Sequence, residues 1–302
     1  MKTFIFGCDG FVGRNLAPKI SGEVVLCDNG FLGACKQEAS LEIDITSDKE
    51  QIDVMFGAED GDFIVINLAA IHSIPYCNKN PKDAYYTNTY GNQILYELAS
   101  KNKCKKYLFA SSGAVYQPNI NPHYEDDFLE SSDIYSASKI AAEQNLELHS
   151  LQTDTPVVAL RFFNIVGAYD LTPHLLPDVV DQLLGNSAEL LLGDLSTIRN
   201  YIHVEDVVNA ILQLIEVDLN TNFFKVNVCT NKGYSGFELV AAAQKALGTN
   251  KNIAVDPSRL RKSDRPSQVG SNALLKGATG WKSEFTFEQG IRDYVDWRIL
   301  NK

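Results

Sequence analysis

The apolar run Thr3-Phe4-Ile5-Phe6 stops at Gly7-Cys8-Asp9-Gly10-Phe11-Val12-Gly13 and passes into the helix-like Arg14-Asn15-Leu16-Ala17. Strand, glycine turn and helix in that order form a phosphate site. The glycines let backbone N–H groups approach a pyrophosphate, and the helix N-terminus favours its charge. The spacing G-x-x-G-x-x-G is one residue wider in its first gap than the usual dinucleotide fingerprint, so the turn alone is a weak signal. It gains weight because Val24-Val25-Leu26-Cys27 has the pattern of a second strand and ends at Asp28. That is about the distance expected of a carboxylate that binds a ribose 2′-hydroxyl. The same carboxylate repels a 2′-phosphate, so NAD is favoured over NADP.

The pattern continues. Leu41-Glu42-Ile43-Asp44-Ile45 is expected as a third strand, and Phe63 to Ala70 as a fourth that ends in small residues, where a flat ring or ribose can come close. Asp83 to Lys101 has helical periodicity, Leu108-Phe109-Ala110-Ser111-Ser112 is a buried strand running out into two hydroxyls, and Ile134 to Leu148 is helical. Val157 to Phe163 and Phe224 to Val228 add further strands. Strands alternating with helices predict an α/β fold with a mostly parallel, doubly wound sheet. On the second long helix Tyr135 and Lys139 lie four residues apart on one face, close enough to share a small site. A free phenol has a pKa of about 10 and is a poor base near neutrality unless a neighbouring cation favours its anion. Lys139 is placed to be that cation, and Ser112, at a strand end, is the natural third member.

Composition removes several function classes. A formal charge of −11 argues against a nucleic-acid or acidic-membrane partner, which would need a clustered basic surface. No apolar run approaches the roughly 20 residues of a membrane span, and Met1-Lys2-Thr3-Phe4 leads into a strand instead of a signal segment. A cytoplasmic protein is expected. The six cysteines, Cys8, Cys27, Cys35, Cys77, Cys104 and Cys229, include no C-x-x-C pair and fit buried reduced thiols, with no metal site expected.

Further marks run through the chain: Leu68-Ala69-Ala70, Asn80-Pro81, Asn88-x-x-Gly91, Ser111-Ser112 with Val115-Tyr116, and Arg161-x-Phe163-Asn164. Later come Gly193-Asp194, Arg199, Tyr201-Ile202-His203-Val204-x-Asp206-Val207, Arg265-Pro266 and Gly280-Trp281. In this order, with the glycine turn, Asp28 and the Tyr135/Lys139 pair, the chain resembles the extended short-chain dehydrogenases/reductases of the NAD-dependent nucleotide-sugar epimerase/dehydratase family, the group of UDP-galactose 4-epimerase. The resemblance covers nearly the whole length.

It implies a Rossmann domain of residues 1–165 plus 201–230, interleaved with a smaller nucleotide-sugar-binding domain of residues 166–200 plus 231–302. It implies Tyr135 as acid/base, Lys139 as the group that lowers its pKa and bonds the nicotinamide ribose, and Ser112 as hydrogen-bond partner of the reacting oxygen. NAD would be held by Gly7, Gly10, Phe11, Val12, Gly13, Asp28, Asn29, Asp44, Ile45, Leu68, Ala69, Ala70, Asn88, Ser111 and Phe163, together with Tyr135 and Lys139. The nucleotide sugar would be held by Ser73, Ser112, Asn164, His174, Leu192, Arg199 and Arg265, arginine suiting phosphate through its planar fork. His203 is expected to be structural.

Departures narrow the reaction. Family dehydratases and decarboxylases place a carboxylate just after the catalytic hydroxyl, where this chain has Gly113-Ala114, so elimination is disfavoured. Reversible oxidation at C4, with the hydride returned to the other face, is the leading expectation. A nucleotide-sugar 4-dehydrogenase or reductase with exchangeable NAD is the alternative, and a non-catalytic NAD-binding regulator is a third reading. Ser267-Gln268 and Gln117 depart from common family residues and leave base and sugar preference open. The resemblance implies pairing through two long helices of the first domain, which Asp83 to Lys101 and Ile134 to Leu151 could supply, so a homodimer is expected.

Overall fold

The computed structural model describes residues 1–30, 37, 40–260 and 265–301. Its centre is a seven-stranded, wholly parallel sheet in the order Phe223–Val228, Val157–Phe162, Lys106–Ser112, Phe63–Asn67, Lys2–Phe6, Glu23–Asp28, Leu41–Glu42. Both faces are covered, which is why these strands are nearly continuous apolar runs. Phe4 and Phe6 point to one core with Phe56, Phe63, Tyr96 and Tyr107, while Ile5 points to the other with Ile64, Leu160, Ile211 and Trp281. The rings of Phe4 and Phe56 meet edge to face at 5.0 Å, a favourable aromatic geometry.

Strand order reverses between Lys2–Phe6 and Phe63–Asn67. Successive strands run outward in one direction from the first of these and in the other direction from the second. A crevice therefore opens at their carboxyl ends, the place where open α/β sheets bind ligands.

Several boundaries differ from the sequence expectation. The third strand is only Leu41–Glu42. After Ile43 donates to the Asp28 carbonyl (3.0 Å), the Asp44 carboxylate accepts from the Thr46 backbone (2.8 Å) and turns the chain away from the sheet. The fourth strand ends at Asn67, whose side-chain oxygen accepts from the Ala69 N–H (3.1 Å), leaving Leu68-Ala69-Ala70 as irregular chain at the crevice. The helical run expected from Asp83 begins at Pro81 and has a π-type turn at Tyr86–Gly91. Beyond the main sheet, the helix Leu175–Leu184 carries Pro177 in its first turn. Proline is harmless there because first-turn N–H groups have no intrahelical acceptor. Ser235/Glu238 and Thr286/Gln289 form the two capping boxes their spacing predicts.

A third core, around Leu176, Val180, Leu190, Leu239, Ile291 and Tyr294, is built by the helices Leu175–Leu184, Gly236–Leu247 and Phe287–Leu300 with the strand Ile198–His203. The chain returns between these elements to add Phe223–Val228 to the main sheet. Cys8, Cys27, Cys77, Cys104 and Cys229 are buried and free; Cys35 lies outside the described residues. Among the described residues no helix is long and apolar enough to cross a membrane.

Asp206 is fully buried at the start of the helix Val204–Glu216. It accepts from the Ser283 hydroxyl (2.8 Å) and from the backbone N–H groups of Glu284 (2.8 Å) and Phe285 (3.2 Å). Asp206→Ala leaves these donors without their acceptor and is expected to cost about 3 kcal/mol, read as a lower urea midpoint at unchanged m-value. A midpoint within error of wild type would contradict this role.

Candidate active site

The crevice is a cavity of about 800 Å³. Its floor is the glycine turn. Gly7 has φ +80°, and a Cβ there would lie 2.5 Å from the Ala69 nitrogen. A Cβ on Gly13 would lie 2.5 Å from the Gly7 oxygen. The first strand, the helix Phe11–Leu16 and the Leu68-Ala69 chain can therefore close together only with these glycines. The Asp28 carboxylate braces the turn, accepting from the Asp9 N–H (3.0 Å) and the Gly30 N–H (2.8 Å). Asn29 donates to Asp44 (2.9 Å). Burial opposes ionisation of Asp44, but hydrogen bonds from Thr46 and Asn29 prevail and hold its carboxyl below the ordinary range.

Cys8, Asp9 and Asp28 bring a thiol and two carboxylates within 4.8 Å of one another. The Asp9 carboxylate accepts from Gln37 N–H (3.0 Å) and Ser40 (3.2 Å), and burial pushes the Cys8 thiol up, so these groups brace the turn.

Gly7, Gly10, Phe11, Val12, Gly13, Asp28, Asn29, Asp44, Ile45, Leu68, Ala69, Ala70, Ser111 and Phe163 all line this one cavity. A glycine cradle with a carboxylate at the end of the second strand fits a dinucleotide, and NAD in particular.

Tyr135, Lys139 and Ser112 stand together at the other end. The capping box of Asp133 and Ser136 fixes the start of the helix Ile134–Ser150, so Tyr135 lies in its first turn, partly open to the cavity. Lys139 is 1% exposed; its Nζ donates to the Ala110 carbonyl (2.7 Å) and lies 4.9 Å from the Phe109 ring centre and 5.9 Å from that of Tyr135. The Ser112 hydroxyl accepts from the Ala114 N–H (3.1 Å). Burial pushes the Tyr135 phenol up to about 12, with its Ser112 hydrogen bond opposing. Burial pushes Lys139 down to about 7, with the charges of Cys77 and Glu143 opposing. At the phenol burial outweighs the Ser112 contribution, and the Lys139 ammonium is turned toward the Ala110 carbonyl.

The substrate candidates divide. Ser73, the N-cap of Ile74–Lys79, and His174, the N-cap of Leu175–Leu184, line the cavity with Ser112. Asn164, Leu192, Arg199 and Arg265 do not. Leu192 is 1% exposed within the third core. Arg199 donates to the carbonyls of Ile198 and Arg265 (both 2.8 Å), and Arg265 to those of Tyr116 (2.6 Å) and Ala114 (2.7 Å), so both guanidinium groups hold backbone. Asn88, expected at the cofactor, is buried and clasps Ile71, accepting from its N–H (2.8 Å) and donating to its carbonyl (2.9 Å); it shapes the wall without lining the cavity. His203 caps Val204–Glu216, accepting from Glu205 N–H (3.0 Å), and its Nε2 meets Asp293 (3.0 Å).

Sequence reasoning missed part of the wall. His72 meets Thr172 across the cavity mouth (3.0 Å), and Asp170 pairs with His174 (2.6 Å). The available signals were position alone: His72 follows the small-residue strand end, and Asp170 to Thr172 lie just beyond Gly167.

Residues 3–229 match the NAD dependent epimerase/dehydratase family. The chain is 30% identical to a UDP-glucose 4-epimerase of Pisum sativum, with 99% of this chain and 96% of that one covered. It is 28% identical to the UDP-glucose 4-epimerase of Bacillus subtilis, over 100% of this chain and 98% of that one. The crystal structure of the Thermus thermophilus UDP-glucose 4-epimerase in complex with NAD superposes with a TM-score of 0.85 at 26% identity, over 98% of both chains. A glycine-cradled dinucleotide crevice ending in a serine, a tyrosine and a lysine, the match over residues 3–229 and the full-length likeness agree: the chain belongs to the NAD-dependent epimerase/dehydratase family.

Proposed function

We propose that the chain is an NAD-dependent epimerase of nucleotide-activated sugars, acting by transient oxidation at C4. The observation that carries this reading is the convergence of Tyr135, Lys139 and Ser112 on the cavity whose far end is the glycine cradle. NAD, when bound, supplies the hydride acceptor and returns the hydride. The protein's own part is proton traffic and exclusion of water. Tyr135 takes the proton of the sugar hydroxyl and gives it back, and Ser112 hydrogen-bonds the same oxygen. Lys139, when protonated, supplies positive charge beside them, and the Glu143 carboxylate offsets part of the cost of its burial. Its 4.9 Å approach to the Phe109 ring also suits a cation. Ser73 and His174 are the substrate contacts the cavity favours. Gly113-Ala114 places no acid or base directly after Ser112, which fits oxidation and return better than elimination.

Residues 1–165 plus 201–230 would serve as the cofactor half and residues 166–200 plus 231–302 as the sugar half. The buried free thiols and the acidic charge support a cytoplasmic location. Exposed Tyr85, Tyr86, Tyr90, Leu148 and Leu151 lie on or beside the two long helical segments, and they support a homodimer that covers them.

Following nucleotide hexoses by NMR is expected to show interconversion of C4 epimers without accumulation of NADH absorbance. Tyr135→Phe should lower conversion by roughly 10² to 10⁴ while NAD still binds. Robust turnover by this variant would overturn the assignment, and NADH growing in step with substrate consumed would indicate a dehydrogenase. In light scattering at micromolar concentration the protein should have twice the chain mass; a monomer throughout would refute the dimer.

A further inference from the structure

Three residues spaced four apart on the helix Ile134–Ser150 grip one strand end. Tyr135 lies beside Ser112, Lys139 donates to the Ala110 carbonyl (2.7 Å), and Glu143 accepts from the Ser111 hydroxyl. The first two contacts belong to the site already described. The third is the head of a buried network. Glu143 is 3% exposed and Arg161, on the neighbouring strand, 1%. They form a two-pronged ion pair, Nε to Oε1 at 3.0 Å and Nη2 to Oε2 at 2.6 Å. Arg161 Nη1 also donates to the Tyr116 hydroxyl (2.9 Å) and the Glu125 carbonyl (2.8 Å), and Tyr116 donates to Asn227 (2.5 Å).

We propose that Glu143 is a positioning residue of the epimerase site. Paired with Arg161 and tied to Ser111, it fixes the strand end bearing Ser112 against the helix face bearing Tyr135 and Lys139. The inference rests on the assignment of those three residues to catalysis.

Two physical arguments support it. A buried ion pair is a poor source of stability, since desolvation offsets much of its attraction, yet it locks geometry through its directional hydrogen bonds. Here the locked element is the residue next to Ser112. The carboxylate also lies one helical turn from Lys139, and its charge favours the ammonium against burial. The other groups facing Lys139 are Tyr135 on its own helix, Cys77 from Ile74–Lys79, His72 beyond Ala70, and the Ala110 carbonyl and Phe109 ring from the strand. Those facing Glu143 are Ser111 and Arg161, with Lys139 one turn away and the Tyr116 hydroxyl beyond Arg161. Removing the carboxylate makes the lysine easier to deprotonate, so the ammonium is lost at lower pH as pH rises.

The test uses the full chain with NAD and a nucleotide hexose, with Tyr135→Phe in parallel. Ser111→Ala removes the tie and, measured at saturating NAD because Ser111 also lines the cofactor cavity, should lower kcat about 10- to 100-fold. In Glu143→Gln the alkaline fall of kcat should move to lower pH. Glu143→Gln combined with Arg161→Met removes the pair without leaving a bare charge and should show the same displacement even if the single variant fails to fold. Wild-type kcat in Ser111→Ala, weakened NAD binding in that variant with kcat retained, or an unmoved alkaline limb in the folded double variant would each overturn the inference. Activity surviving in Tyr135→Phe would instead sink the catalytic assignment on which it rests.

Discussion

Lys139 carries an ammonium into the interior, where it meets the carbonyl of Ala110 and the face of Phe109 and lies within 5.9 Å of the Tyr135 ring. Neither an ammonium nor a phenolate tolerates burial well, and here burial pushes the lysine down to about 7 and the phenol up to about 12. The favoured resting form is therefore a neutral phenol beside an amine that protonates near neutrality. Any further positive charge in the crevice would favour the phenolate, and an opposing hydrogen bond from Ser112 already does so in part. Lys139 thus stands near the point at which it gains or loses a proton at neutral pH, while the Tyr135 phenol needs added positive charge beside it to ionise there.

That corner can exist only because the sheet brings the strand end and the helix together. Lys106–Ser112 lies between two parallel neighbours and is buried almost throughout, so its hydroxyls emerge at a fixed place. The helix Ile134–Ser150 starts where its capping box dictates and lies against that end. At the far side the left-handed Gly7 lets the turn approach Ala69, and the glycine turn and the corner of Ser112, Tyr135 and Lys139 become two ends of one cavity. Distance between the ends is set by strand order, since Phe63–Asn67 alone separates the first strand from Lys106–Ser112.

Much of this was legible in the residues. Continuous apolar runs such as Phe63 to Ile66 marked doubly covered strands, and the glycine turn with Asp28 marked the cradle. Four-residue spacing put Tyr135 and Lys139 on one face. Strand ends were less legible: Asp44 and Asn67 turn the chain with their own side chains, and an apolar count does not register such local competition for backbone hydrogen bonds. The outer substrate residues were the least legible. Arg199 and Arg265 have the chemistry of phosphate binders, but their guanidinium groups hold carbonyls, which depends on loops brought together from distant parts of the chain. His72 and Thr172 meet across 100 positions, and no local pattern foretells the contact.

The central claim is that a hydride removed from C4 in this one cavity is returned there, undiluted, to the opposite face. It is tested most directly with a nucleotide hexose deuterated at C4, converted by the protein in the presence of excess unlabelled NADH and analysed by mass spectrometry. The account predicts that the epimeric product keeps its deuterium at C4. Loss of the label to the dissolved cofactor pool would contradict it.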